Sequence, residues 1–333
     1  MKNTIVGIVT LLLLIALAEG LILAGVRFDP VRVGAFLACL ALILVALAGL
    51  TQPAVVRLLH QRATRSFWMA VASPFVLLVP YLVFALGTRA FSLLSLMKLA
   101  AYIAVPTLLL APDRWHHAER AGWRHFAAML ALALPISAGW LTGTWVWPPD
   151  AIFTEPQEIY FFVPLFCVCV GAYGFLVLRN LEGVGFRLGF RKGDLIDGLA
   201  NFAGFALLGI PLGYALNFIQ FRPHSVSAVD IGFQFLGIYL TIAVPEEFLF
   251  RGVLQNFLSR SLPGPRHAVY ALLMASVIFG ASHLHHAPVP NWRYATLAAL
   301  AGVFYGNAYR TRRRLSAPAL THALVDTIWH FWF

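Results

Sequence analysis

The feature that most constrains this chain is the recurrence of long stretches without charge. Residues 33–51, from Val33 to Thr51, carry no charged side chain. A helix needs about 20 apolar residues to cross the hydrocarbon core of a bilayer. Within lipid, each such segment must satisfy its own backbone polar groups, which favours helices. Similar stretches recur along the sequence and predict about eleven transmembrane helices at this length per crossing. They lie near 4–26, 33–51, 67–87, 91–111, 125–146, 158–179, 195–219, 230–250, 268–286, 293–310 and 317–333. The expected fold class is therefore all-α, a polytopic membrane helix bundle. Composition agrees: 60% of the 333 residues are hydrophobic and only 11% are charged, against about 25% charged in soluble domains.

The formal net charge of +10 raises nucleic acid as a partner, but its placement points to a lipid surface. With the N-terminus in the cytoplasm, the inside loops collect Arg57, Arg62, Arg65, Arg114, Arg120, Arg124, Arg179, Arg187, Arg191, Lys192, Arg260, Arg266, Arg310, Arg312, Arg313 and Arg314. The outside loops hold Arg27, Arg32, Arg89, Arg222 and Arg293, with the acids Asp150, Glu155 and Glu158. This is the positive-inside bias. It predicts a multi-pass integral membrane protein with a cytoplasmic N-terminus and an outer C-terminus. Its basic loops meet anionic headgroups, and no nucleic acid is expected.

Cys39, Cys167 and Cys169 all fall in apolar stretches, where a thiol behaves as a small hydrophobe. Lys2, an apolar run and Ala16-Leu17-Ala18 resemble a signal peptide. The run continues through Leu21 to Ala24, so an uncleaved first helix is expected. Glu19 and Lys98 are further charges in apolar stretches, read as snorkelling or structurally ion-paired.

Ionisable groups at membrane depth are costly and by default mark function. Three segments of the last third carry them. The first reads Pro245-Glu246-Glu247-Phe248-Leu249-Phe250-Arg251. Glu247 and Arg251 are four apart and share a helical face, whereas Glu246 points about 100° away and is freer to act as a base. The alternative is an ion pair that merely locks two helices. The second segment carries Phe279 and His283, then His285 and His286, which could equally be a polar loop entrance. The third has His322 and Asp326 on one face, extended by His330; capping or interfacial anchoring by Trp329 and Trp332 would also account for it.

Together these motifs, Glu-Glu-x-x-x-Arg, Phe-x-x-x-His and His-x-x-x-Asp in that order, resemble the CPBP (CAAX protease and bacteriocin-processing, or Abi) family of intramembrane glutamic endopeptidases. The resemblance covers about residues 195–333 and is strongest from Glu246 to Asp326. It implies an N-terminal helical region, 1–190, of unassigned role, and a protease domain, 191–333. That domain would enclose a water-accessible catalytic cavity open toward the cytoplasmic side. It further implies that Glu246 is the general base activating water, that His283 holds that water, and that His322 and Asp326 stabilise the oxyanion. Glu247 with Arg251 would organise the first motif.

No cofactor is implied, and the substrate would be a membrane-associated protein or peptide. The long N-terminal extension points to a bacterial branch, hence an inner-membrane location. The family's pattern has Asn where this chain has Asp326. An ionised aspartate cannot donate a hydrogen bond, so Asp326 either carries a proton or orients His322. Counting depth at about 1.5 Å per residue puts Glu246 and His322 near the cytoplasmic side and His283 deeper. A tilted, kinked or re-entrant helix is then needed to bring His283 back.

Rival readings are a zinc protease using Glu246, Glu247, His283 and His322, although His-Glu-x-x-His is absent, a proton-relaying transporter, and a non-enzymatic immunity protein.

Overall fold

The computed structural model describes residues 29–115, 122–150, 153–187, 189–223 and 225–333. The helix expected at 4–26, with Glu19 and the signal-peptide-like segment, lies outside the described residues, as do Arg27 and Arg120.

Eleven helices make up the described chain, and we number them in order. They are α1 (Pro30–Leu50), α2 (Pro53–Arg65), α3 (Phe67–Gly87), α4 (Leu93–Leu110), α5 (Trp123–Ser137), α6 (Phe162–Leu178), α7 (Lys192–Ala215), α8 (Ala228–Ser261), α9 (His267–Ala281), α10 (Trp292–Arg312) and α11 (Ser316–Trp332). A two-residue antiparallel pairing of β1 (Val146–Trp147) with β2 (Gln157–Glu158) is the only sheet among the described residues. Five stretches are long and apolar enough to cross a membrane: Pro30–Leu50, Phe67–Gly87, Leu93–Asp113, Lys192–Ala215 and Ala228–Ser261. The molecule is an all-helical integral membrane protein. Its other helices are shorter or more polar than a full apolar crossing.

Three expected boundaries are corrected. Residues 53–65, expected as a loop because of Arg57, Arg62 and Arg65, form the amphipathic helix α2. Pro53 opens it, two arginines close its last turn, and His60 Nδ1 donates to the Val177 carbonyl of α6 at 2.7 Å. The helix expected at 125–146 stops at Ser137, because Gly139 and Gly143 adopt positive φ, a conformation that favours glycine. The helix expected to end at 250 runs on to Ser261.

That last extension is possible because the polar residues in it have inward partners. Arg251 Nη2 donates to the Gly302 carbonyl at 3.3 Å, Gln255 Nε2 to the Gly306 carbonyl at 3.0 Å, and Asn256 Nδ2 to the Glu182 carbonyl at 2.7 Å. The two glycines of α10 sit one turn apart, as small residues do where membrane helices approach closely. A Cβ on Gly306 would lie 2.8 Å from Gln255 Oε1.

The loops at one end of the bundle hold one another. Arg314 pairs with Asp194 at 2.9 Å, Arg312 with Asp197, Arg260 donates to the Glu182 carbonyl, and Arg187 to the Thr51 carbonyl. Segments 51–65, 179–192, 256–266 and 310–316 thus gather at a basic end. At the opposite end Arg32 donates to the Pro149 carbonyl at 3.2 Å, and the Arg222 amide to the Trp332 carbonyl at 2.8 Å.

One apolar core joins residues from Cys39 to Ala323, so it crosses position 190 without a break. Phe248 and Phe257 of α8 pack on Phe186 and Phe175, and Phe257 also on His125. The three cysteines are buried and free. Lys98, half-buried on α4, makes no ion pair among the described residues.

Candidate active site

The site forms where α8, α9, α10 and α11 face one another. Turns of wider, π-helical winding flank the two glutamates of α8, over Tyr239–Ala243 and Phe248–Gln255. Such turns recur at functional sites, where they redirect side chains.

Glu247 is fully buried and binds on two sides. Its Oε2 lies 3.2 Å from Arg251 Nε, and its Oε1 lies 2.9 Å from His322 Nδ1 on α11. A carboxylate only accepts, so His322 donates from Nδ1, and this bond sets the ring's orientation. Arg251 is itself fully buried, stacked 4.5 Å from the ring centre of Phe279 and 5.3 Å from that of Tyr305. The Arg251–Glu247 pair is close in charge but not aligned as a hydrogen bond.

The other His322 nitrogen, Nε2, points to a pair of carboxylates. Asp326 Oδ2 is 3.4 Å away and Glu246 Oε2 3.9 Å away. Tyr305 lies flat against the imidazole, centroids 4.6 Å apart at 15°. Glu246 keeps 35% of its side chain exposed while Glu247 keeps none. Adjacent in sequence, the two acids therefore differ in environment: one is enclosed by Arg251 and His322, the other reaches open space.

His283 follows the end of α9. Its Nδ1 lies 2.8 Å from the Phe279 carbonyl, one turn back. A carbonyl only accepts, so Nδ1 carries the proton and Nε2 remains an acceptor. The ring also packs against Phe279 and Tyr294, centroids 4.8 and 4.7 Å away.

Glu246, His283, His322 and Asp326 all line a single cavity of about 550 Å³. The depth count is corrected here. With α8 extended, Glu246 lies about 22 Å from Ser261, and His283 about 24 Å from His267, at 1.5 Å per residue. No re-entrant helix is needed to bring them level. The cavity runs past Tyr294, Phe218, Trp329 and Phe333, toward the end opposite the basic loops. The buried Arg251 occupies the basic side.

Two residues of the cavity, Tyr294 and Tyr305, carried no motif in the sequence. They stand eleven positions apart on α10, hence on one face, and a helix containing Arg293 and Arg310 gave no sign of which face was inward. Among the described residues no group of three or more His, Cys, Asp and Glu is arranged to hold a metal ion.

Buried acids and histidines converging on a cavity inside a membrane helix bundle define a class of site suited to acid–base chemistry within the bilayer. Residues 228–328 match the family model described as Rce1-like, type II CAAX prenyl endopeptidase Rce1-like. The resemblance to CAAX proteases read from the three motifs thus holds over the segment that contains them. No curated protein and no solved structure matches the chain.

Proposed function

We propose that the protein is an intramembrane endopeptidase that hydrolyses a peptide bond of a membrane-associated protein or peptide, using water activated by Glu246 and no covalent intermediate. One observation carries this reading: Glu246, which makes no hydrogen bond to the pair that encloses Glu247, lines the same cavity as His283, whose Nδ1 is committed to the Phe279 carbonyl.

In the proposed reaction His283 Nε2 accepts one hydrogen of the attacking water and Glu246 takes the other as a proton. The water oxygen bonds to the scissile carbonyl carbon, and the carbonyl π pair moves onto its oxygen. His322 in its doubly protonated form donates from Nε2 to that oxyanion while Nδ1 stays on Glu247. Collapse breaks the C–N bond, and the leaving amine takes the proton from Glu246. A base that returns its proton in this way serves both halves of the reaction. Asp326, beside Nε2 and facing the cavity, is placed to act on the oxyanion or on the ring. The supporting family match is to enzymes described as acting on CAAX prenyl substrates, so a farnesylated peptide ending in Cys-Ala-Ala-X is the first probe to use.

Purified protein in liposomes should release the C-terminal tripeptide from this probe. Glu246→Gln and His283→Ala should each lower turnover by about 10²–10⁴-fold, with insertion and thermal stability unchanged. Wild-type turnover by Glu246→Gln would sink the glutamate mechanism. The zinc reading, in which Glu246, Glu247, His283 and His322 bind metal, predicts loss of activity with 1,10-phenanthroline and recovery with zinc; the mechanism proposed here predicts neither. A transporter or immunity protein would leave the probe intact.

A further inference from the structure

The hydrogen-bonding inventory of the cavity is unbalanced. Amide hydrolysis develops negative charge on the carbonyl oxygen, and catalysis needs donors aimed at it. Glu246 and Asp326 as carboxylates only accept, and His283 has its N–H on the Phe279 carbonyl. His322 Nε2 is then the one donor among these four side chains. Gln234, His286, Trp329 and His330 also line the cavity, but His286 and His330 are exposed, Gln234 lies about 18 Å along α8 from Glu246 at 1.5 Å per residue, and the Trp329 ring is packed on Phe218 and Tyr294.

Tyr294 meets the need for a second donor. It lines the cavity with Glu246, His283, His322 and Asp326. Its ring is held on several sides, by His283 at 4.7 Å, Trp329 at 5.3 Å and Phe218 at 5.4 Å between centroids. Its backbone is held too: the Tyr294 amide donates to the N-cap side chain of Asn291 at 3.0 Å, in the first turn of α10. The hydroxyl itself makes no hydrogen bond among the described residues. A phenol with an uncommitted O–H and a ring packed against that of His283 is pre-organised as a donor. Tyr305 is less suited: it lies flat against His322 and is 2% exposed, which fits it to hold that ring.

We infer that Tyr294 is a further catalytic residue, whose phenolic O–H donates to the oxyanion of the tetrahedral intermediate opposite His322. The phenol keeps its proton throughout; the oxyanion's charge returns to the carbonyl when the C–N bond breaks. This rests on the endopeptidase reading above.

The test is Tyr294→Phe in the full-length protein, which keeps the ring and its contacts and removes only the hydroxyl. Steady-state kinetics on the farnesylated Cys-Ala-Ala-X peptide should show kcat reduced by about 10²–10³-fold, as for loss of one oxyanion donor. KM and Tm should stay at wild-type values, because the lost bond forms only in the transition state. A kcat within twofold of wild type overturns the inference. So does a loss accompanied by lowered Tm or raised KM, which would place the hydroxyl in packing or ground-state binding. Glu246→Gln assayed beside it separates the two levels: if Glu246→Gln is inactive while Tyr294→Phe is fully active, the donor assignment alone fails. Turnover by Glu246→Gln would remove the reaction itself.

Discussion

At the scale of single residues, the site depends on giving unlike environments to like groups. Glu246 and Glu247 are chemically identical neighbours, yet Glu247 is enclosed by Arg251 and His322 while Glu246 faces the cavity. A buried charge whose partner is removed costs about 3–5 kcal/mol, so Arg251, Glu247 and His322 are best understood as one unit. Asp326 follows from the same geometry. Because Glu247 already fixes His322 through Nδ1, a second carboxylate is not needed to choose the tautomer, and Asp326 sits instead at the nitrogen facing the cavity. A carboxyl group donates only while protonated, and that ability is lost as pH rises; an amide donates at any pH. Asp326→Asn should therefore keep or exceed wild-type activity and extend it to higher pH. A pH–rate profile checks this: a uniform drop with unchanged shape would show that the carboxylate itself is required.

At the scale of elements, close helix contacts set where these side chains arrive. α9 meets α10 at Gly280, where an added Cβ would stand 2.5 Å from the Ala295 carbonyl and 2.6 Å from the Ala299 Cβ. Backbone cannot yield there as a flexible side chain would. Gly280→Val should push α9 off α10 and carry His283 away from the cavity. Overpacking of this kind costs about 1–3 kcal/mol, so a lowered Tm in detergent should accompany loss of turnover. Wild-type values of both would show that the contact does not position His283. Helix positions were mostly legible in the sequence, since apolar runs report them directly, and so were the three motifs, of whose residues Glu246, Phe279, His283, His322 and Asp326 line one cavity. What was not legible depended on distant partners. The last eleven residues of α8 look like a loop until Gly302, Gly306 and Glu182 supply acceptors for Arg251, Gln255 and Asn256. Likewise α2 looks like a charged loop until His60 finds Val177. Tyr294 and Tyr305 gave no signal, because a tyrosine on an apolar helix is ordinary without knowledge of which face is enclosed.

At the scale of the whole molecule, segments distant in sequence gather their arginines at one end, as the positive-inside expectation requires of loops on one side of a membrane. The orientation itself can be read with cysteine labelling, because the three natural cysteines are buried. Arg293→Cys should react with a membrane-impermeant maleimide in intact cells, and Arg266→Cys only after permeabilisation. The reverse pattern would invert the topology. The position of Glu246 near the middle of α8 bears on what could be cut there. A transmembrane partner arriving at that depth as a helix would present carbonyls already bonded to its own amides, with its carbonyl carbons shielded by side chains. It would have to unravel for a few residues before water could reach one. Glycine or proline around the bond would ease that unravelling. By this logic the protein would choose its targets less by the side chains flanking the cut than by how readily the strand of a span comes apart.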